Sequence, residues 1–189
     1  MNNCIIIHGC PSRDEETMDE KTRTYDKHWM PWVKGELDRV GIPTQIPSMP
    51  NPWEPNYAAY KEVLEKYPIS ENTILIGHSC GCAFLVRWLG DSRQKIKKLI
   101  LVAPWKVVKE GDEIKKNFYT YPIDPTIKER VSDIIMFTAP NEEENGKRSL
   151  KMYHDVLGGK IISLDNHGHY TQADMGIIGF PELVKEIIT

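Results

Sequence analysis

Short, mostly apolar runs alternate with amphipathic segments along this chain. Short apolar runs are typical of strands buried within a sheet. They predict six strands, at residues 4–7, 44–46, 73–76, 98–103, 133–138 and 160–164. Between them, apolar residues recur at three- and four-residue spacing and predict helices, at residues 28–40, 57–67, 82–89, 148–157 and 181–188. The charged stretch at residues 12–27 is expected to be a solvated loop or irregular insertion, and its role is open.

Strands that alternate with helices predict a parallel sheet with helices on both faces. We therefore expect a three-layer α/β fold with a mostly or wholly parallel sheet of about six strands. The chain length of 189 residues suits a single domain, 1–189. Sites in such sheets lie outside the carboxyl ends of the strands, and that is where we look for chemistry.

Composition narrows the class of partner. The formal net charge is −3, from 24 basic and 27 acidic residues, so nothing indicates the basic surface of a nucleic-acid binder. No apolar run approaches the roughly 20 residues that cross a bilayer, and the first residues lack the features of a signal peptide. We expect a cytoplasmic protein that is a monomer or small homo-oligomer, with no nucleic-acid or membrane partner.

The four cysteines are Cys4, Cys10, Cys80 and Cys82. In a cytosolic chain they are expected to be free thiols rather than a disulfide framework. The spacing of Cys80 and Cys82 does not fit a CxxC redox or zinc motif. No metal or cofactor is expected.

The most informative motif is Gly77-His78-Ser79-Cys80-Gly81, between a predicted strand and a predicted helix. In that context G-x-S-x-G predicts a nucleophile elbow, a strained turn that exposes the central serine at the carboxyl end of the strand. Ser79 is therefore the candidate nucleophile. Cys80 as a catalytic thiol is a minor alternative, because the elbow presents its central residue and not the next one.

A serine hydroxyl needs a neighbouring base, and histidine suits this task near neutral pH. The segment 166–169 follows the last predicted strand and contains His167 and His169. We favour His169 as the base, since Gly168 permits a tight turn and Tyr170 can pack behind the ring. The alternative is that both are ordinary loop histidines.

The base needs an acid, and the loop after strand 133–138 offers Glu142, Glu143 and Glu144. These glutamates also resemble a solvated charge run, and Asp165 is a competing acid close to the histidines. For the oxyanion hole we expect the backbone amides of Cys10 and Cys80, because two amides must face the developing charge. Pro11 has no amide hydrogen to offer.

Several segments together resemble the small α/β hydrolases related to retinoblastoma-binding protein nine. They are His8-Gly9, His28-Trp29-Met30-Pro31-Trp32-Val33, the elbow, Leu101-Val102-Ala103-Pro104 and Gly168-His169-Tyr170. The resemblance covers most of the chain and implies a compact α/β-hydrolase fold with a reduced lid and a Ser-Asp-His triad. Carried over by position, the roles fall on Ser79, His169 and the acid loop, with Glu142 where the family usually has aspartate. The charged insertion before His28 is a second departure.

These observations predict a serine hydrolase of carboxylesterase-like type that cleaves a small acyl ester, thioester or amide through an acyl-enzyme. Its partner would be a small-molecule acyl substrate. Four aromatic residues follow strand 98–103, namely Trp105, Phe118, Tyr119 and Tyr121. They either line an apolar acyl pocket or serve in surface or core packing. The alternative function is a low-turnover protein-interaction module on a hydrolase fold. A nucleotide-binding domain is disfavoured because the first strand lacks a glycine-rich phosphate loop.

Overall fold

The computed structural model describes residues 2–12, 14–108 and 111–189. Within them the strands form one sheet, and their bounds are β1 (Asn3–Ile7), β2 (Thr44–Gln45), β3 (Thr73–His78), β4 (Ile96–Val102), β5 (Val131–Thr138) and β6 (Lys160–Ser163). The strand order is β2-β1-β3-β4-β5-β6, and every neighbouring pair is parallel. The prediction of a six-stranded parallel sheet is confirmed. All carboxyl ends meet at one edge.

Helices connect the strands. They are α1 (Met30–Arg39), α2 (Tyr57–Leu64), α3 (Cys80–Ser92), α4 (Glu113–Tyr119), α5 (Glu144–Leu157), α6 (Gln172–Met175) and α7 (Pro181–Ile188), with a 3-10 helix at Pro125–Glu129. The five helices expected from periodicity are present. The elbow helix begins at Cys80 and not at residue 82, because it starts directly after the turn. The short helix α4 and the single turn α6 lie in segments without a regular apolar period.

Alternating side chains of each strand serve two separate cores, as expected for a sheet covered on both faces. On one face, Cys4 and Ile6 of β1 pack in a cluster that includes Trp29, Val33 and Leu183, from α1, its preceding turn and α7. On the other face, Ile5 and Ile7 lie in a cluster with residues of α2, α3 and α5. Packing on both faces holds the carboxyl ends of the strands at fixed positions.

The charged insertion contains no helix or strand in its described residues, 12 and 14–27. It is not simply solvated, however. Tyr25 is 3% exposed and Asp26 is 7% exposed. Asp26 pairs with Arg23 at 2.7 Å, and the Tyr25 hydroxyl donates to the main-chain oxygen of Thr17 at 2.9 Å. Of the two expectations for this segment, the irregular insertion is the one that the described residues fit, because it is anchored to the rest of the protein and not wholly solvated.

In the part of the chain that the structure describes, every helix is too short or too polar to span a membrane.

Candidate active site

A tight turn joins β3 to α3 and holds Ser79 between them. Ser79 has a φ of +53°, a backbone conformation that is rare for a residue with a side chain and persists only when its surroundings impose it. The flanking glycines permit the close approach. A Cβ on Gly77 would lie 2.6 Å from the amide nitrogen of Cys82, and one on Gly81 would collide with the main-chain oxygen of Ile7. The turn therefore has the geometry of a nucleophile elbow.

Three side chains from three loops form a hydrogen-bonded line at this edge of the sheet. Oγ of Ser79 lies 2.8 Å from Nε2 of His169, and Nδ1 of His169 lies 2.9 Å from Oε2 of Glu142. Because an ionised carboxylate can only accept, Nδ1 carries the proton of the neutral ring. Nε2 is then free to accept the proton of the Ser79 hydroxyl. This arrangement can activate a serine for nucleophilic attack.

Glu142 is the glutamate that reaches the histidine. Its side chain is 1% exposed, and that of His169 is 23% exposed. The second carboxylate oxygen, Oε1, accepts a hydrogen bond from the amide of Glu143 at 2.7 Å. Glu143 and Glu144 themselves have exposed side chains. The structure thus brings Glu142 to the base and leaves its two neighbours at the surface.

The alternative base, His167, makes different contacts from those of His169. Nδ1 of His167 donates to the main-chain oxygen of Asp165 at 2.7 Å. Tyr170 packs against His167, with ring centroids 5.2 Å apart, and its hydroxyl donates to the main-chain oxygen of Thr138 at 2.6 Å. The expected packing of Tyr170 behind His169 is replaced by this contact with the other histidine. Tyr170 still anchors the loop, because it is fully buried.

Two residues that sequence analysis missed hold the backbone of His169. Nε2 of His78 donates to the main-chain oxygen of His169 at 2.8 Å, and burial keeps the pKa of His78 well below its usual value. The amide of His169 donates to Oδ2 of Asp174 at 3.1 Å. A signal for Asp174 was present, because Thr171 and Asp174 have the spacing of a capping box. The Thr171 hydroxyl accepts from the Asp174 amide at 3.2 Å.

Two further histidines near the elbow are held neutral by burial. His8 donates from Nδ1 to the main-chain oxygen of Gly9 at 2.8 Å and accepts at Nε2 from the amide of Met49 at 2.9 Å. Burial lowers the pKa of His8 to about 4. Nδ1 of His28 accepts from the amide of Gln172 at 3.1 Å, and burial lowers the pKa of His28 as well.

The cysteines differ from expectation. Cys10 and Cys80 form a disulfide, with Cα atoms 5.7 Å apart, whereas Cys4 and Cys82 are free and buried. The prediction of free thiols is therefore wrong for two of the four. Because β1 and β3 are neighbouring parallel strands, the turns that follow them lie side by side. A disulfide sulfur is not a thiolate, so Cys80 is not a nucleophile in this state.

The disulfide joins the two residues whose amides are the candidate oxyanion donors. The hydrogen bonds of the described residues include none donated by the amide of Cys10 or Cys80. Both N–H groups are therefore available to a ligand. Cys80 is also the first residue of α3, where the helix dipole favours negative charge.

A cavity of about 320 Å³ reaches both Ser79 and His169. Part of its wall is formed by Trp105, Val107 and Tyr119, and we call it the Trp105 cavity. The Trp105 ring meets the His169 ring edge to face, with centroids 5.4 Å apart. Charged residues also line this cavity, namely Asp112, Lys115 and Glu143.

The other two aromatic candidates are packing residues. Phe118 packs against Tyr60, with ring centroids 5.3 Å apart. The ring of Tyr121 covers the ammonium group of Lys106, whose Nζ lies 3.5 Å from the ring centroid. Four aromatic residues in a segment without regular periodicity could not be sorted by sequence alone.

Among the described residues, no group of three or more His, Cys, Asp or Glu side chains is placed to hold a metal ion.

The six-stranded parallel sheet, with the elbow between β3 and α3, is that of an α/β-hydrolase fold. Solved structures with the same fold match this chain. The ydeN gene product of B. subtilis matches with a TM-score of 0.84 at 22% identity, covering 100% of this chain and 97% of that one. Est1E of Butyrivibrio proteoclasticus, in a structure with bound ferulic acid, matches with a TM-score of 0.66 at 15% identity, over 100% of this chain and 88% of that one. At these identities the likeness concerns the fold.

Sequence comparison then gives the family. The family model described as serine hydrolase matches residues 22–187, so the chain belongs to this serine hydrolase family. A curated relative, the putative hydrolase YdeN of Bacillus subtilis (strain 168), is 36% identical over 80 residues. That match covers 40% of this chain and 42% of the relative.

Proposed function

We propose that this protein is a carboxylesterase-like hydrolase that cleaves a small acyl ester, thioester or amide through a covalent acyl-enzyme. The observation that carries the proposal is the line of hydrogen bonds from Ser79 through His169 to Glu142, at 2.8 and 2.9 Å. Membership of the serine hydrolase family supports it. The motifs shared with small hydrolases of the retinoblastoma-binding protein nine type point the same way.

In the first half-reaction, Oγ of Ser79 forms a bond to the acyl carbon while its proton passes to Nε2 of His169. The bond to the leaving group then breaks, and the leaving atom takes the proton from Nε2. In the second half-reaction, water attacks the acyl carbon and gives its proton to Nε2. That proton returns to Oγ as the carboxylic acid leaves, and the enzyme is restored.

The remaining groups lower the energy of these steps. Glu142 fixes the tautomer of His169 and stabilises the imidazolium that forms during each proton transfer. The amides of Cys10 and Cys80 would bind the oxygen that becomes negative in the tetrahedral intermediate. The Trp105 cavity would receive the acyl group. Its volume of about 320 Å³ is near the lower end of small-molecule pockets, roughly 300–1,000 Å³, which favours a short acyl chain.

The test is covalent labelling combined with turnover. A fluorophosphonate probe should label the wild-type protein at Ser79 and abolish hydrolysis of p-nitrophenyl butyrate. Ser79→Ala should not be labelled and should lose about a thousandfold or more in rate. Ser163→Ala, at the exposed carboxyl end of β6, is the control and should behave like the wild type. Absent labelling and turnover in the wild type would favour the low-turnover interaction module instead.

A further inference from the structure

The turn that follows β1 crosses the nucleophile elbow at close range. A Cβ on Gly9 would lie 3.1 Å from Nδ1 of His78 and 3.1 Å from Cβ of Ser79. Backbone that passes this near to the serine can present an amide to a group bound there. Cys10 is the next residue along the chain, and it lines the Trp105 cavity together with Ser79 and His169.

Hydrogen bonds fix this turn as far as its glycine. Nδ1 of the buried His8 donates to the main-chain oxygen of Gly9 at 2.8 Å, and Nε2 accepts from the amide of Met49 at 2.9 Å. Beyond Gly9, the main-chain hydrogen bonds of the described residues include none that joins residues 10–12 to a helix or strand. The disulfide from Cys10 to Cys80 therefore links the end of this turn covalently to the elbow.

The two ends of the disulfide are held differently. Cys80 is the first residue of α3 and is 0% exposed. Beside it, a Cβ on Gly81 would collide with the main-chain oxygen of Ile7, so the close packing of α3 on the end of β1 fixes the Cys80 amide. Cys10 is partly exposed. Loss of the disulfide would release the Cys10 amide and leave that of Cys80 in place.

We propose that the Cys10–Cys80 disulfide is the positioning element of the oxyanion hole, and that its reduction by a dithiol suppresses hydrolysis. This inference rests on the proposed function. The amides of these two residues are the donors assigned to the tetrahedral intermediate, and one covalent link sets the distance between them. The two side chains position the donors and take no part in the bond changes at the acyl carbon.

The redox step is a thiol–disulfide exchange. A thiolate of the dithiol forms a bond to Sγ of Cys10, the more exposed of the two residues, while the bond to Sγ of Cys80 breaks and that sulfur leaves with the electron pair. The N-terminus of α3 stabilises the departing thiolate. The second thiol of the reductant then attacks the mixed disulfide and releases Cys10. Two electrons and two protons pass to the protein, and the reductant becomes a cyclic disulfide.

The test compares the oxidised and the dithiothreitol-reduced wild type on p-nitrophenyl butyrate, at a temperature where circular dichroism shows both forms to be folded. Reduction should lower kcat about a hundredfold, as for loss of one oxyanion donor, with KM little changed. Reoxidation should restore the rate. Cys4→Ala removes a buried free thiol in the opposite core and is the control. It should respond to dithiothreitol as the wild type does.

A second measurement reports on the oxyanion hole itself. In the thionoester analogue of the substrate, sulfur replaces the carbonyl oxygen, and sulfur is a weak acceptor of hydrogen bonds. The oxidised protein should therefore prefer the oxygen ester. Reduction should lower this preference, as a ratio of kcat/KM values, by about tenfold or more, because a donor that distinguishes oxygen from sulfur is lost. A general loosening of the fold would lower both rates and leave the ratio unchanged.

The double variant Cys10→Ala, Cys80→Ala keeps both amides but cannot form the disulfide. It should hydrolyse the ester at the rate of the reduced wild type, with or without dithiothreitol. The comparison within the wild type requires no variant to fold. Equal kcat for its oxidised and reduced forms, or an unchanged preference between the two esters, would overturn the inference and leave Ser79-dependent hydrolysis intact. Absence of ester hydrolysis by the oxidised wild type would instead overturn the proposed function.

Discussion

Gly146 lies in the first turn of α5, directly beneath the candidate acid. A Cβ at this position would lie 2.7 Å from both Cγ and Cδ of Glu142 and 2.9 Å from Oε1. Ordinary contact begins near 3.4 Å, so Gly146→Ala must displace the carboxylate by about 0.7 Å. The bond from His169 to Glu142 is 2.9 Å long, and a shift of this size away from the ring would take it past the useful range.

We expect Gly146→Ala to lower kcat about a hundredfold, as misplacement of a catalytic group by about 1 Å can do. KM should change little, because Glu142 does not contact the substrate in the proposed mechanism. Glu142→Gln serves as the reference for complete loss of the carboxylate. It should lower kcat by about four orders of magnitude, because a neutral amide no longer fixes the tautomer of the base. The assay is steady-state hydrolysis of p-nitrophenyl butyrate, with urea unfolding measured on the same samples.

Gly35 provides a matched control. It lies inside α1, and a Cβ there would meet nothing within 4 Å. Gly35→Ala should leave kcat unchanged and raise the free energy of unfolding by up to about 1 kcal/mol, the helix preference of alanine over glycine. If Gly146→Ala instead keeps more than half of the wild-type kcat, the position of Glu142 does not control the base, and the proposed role of this carboxylate is wrong.

Three further predictions concern the base, the disulfide and the effect of acid. His169→Ala should lose as much ester hydrolysis as Ser79→Ala, while His167→Ala should keep most of it; the opposite ranking would make His167 the base. Cys10 and Cys80 are 70 positions apart, so reduction with dithiothreitol should lower the free energy of unfolding by about 4 kcal/mol in the loop-entropy account. An unchanged urea midpoint would contradict this. Burial lowers the pKa of His8 to about 4. Between pH ~6.5 and pH 4, His8 therefore binds a proton in the unfolded state but not in the native state. The free energy of unfolding should therefore fall by up to about 1.4 kcal/mol per pH unit as the pH is lowered toward 4. Equal urea midpoints at pH 7.5 and pH 5 would refute this.

The parts of the site that sequence could predict are the local ones. Strand, elbow and helix follow one another within about twenty residues, and the constraints on Gly77, Ser79 and Gly81 arise inside that unit. The position of Glu142 could be expected because it follows the exit of β5 closely. Contacts that depend on three loops meeting could not be predicted, and the bonds from His78 and Asp174 to the backbone of His169 are of this kind.

The disulfide depends on which strands are neighbours in the sheet. In the sheet, Ile7 pairs with Gly77. Cys10 and Cys80 each lie three positions beyond these partners, so adjacency of β1 and β3 already brings the two cysteines together. The expectation of free thiols rests on the cellular compartment, which says nothing of distance, whereas the pairing of β1 with β3 places the two cysteines within reach of each other.

We propose that Glu142 and Gly146 form a matched pair, which would explain how a glutamate can take the position where the resemblance to small α/β hydrolases implies an aspartate. The extra methylene of Glu142 needs space, and the absence of a Cβ on Gly146 provides it. If this is correct, the loss in Gly146→Ala comes from crowding and should be relieved by a shorter acid. The double variant Glu142→Asp, Gly146→Ala should therefore have a higher kcat than Gly146→Ala alone, while Glu142→Asp by itself should lie below the wild type because the shorter side chain reaches less far toward His169. Losses that simply multiply in the double variant would show that the two positions act independently, and the explanation for the glutamate would have to be sought in the loop and not in the helix.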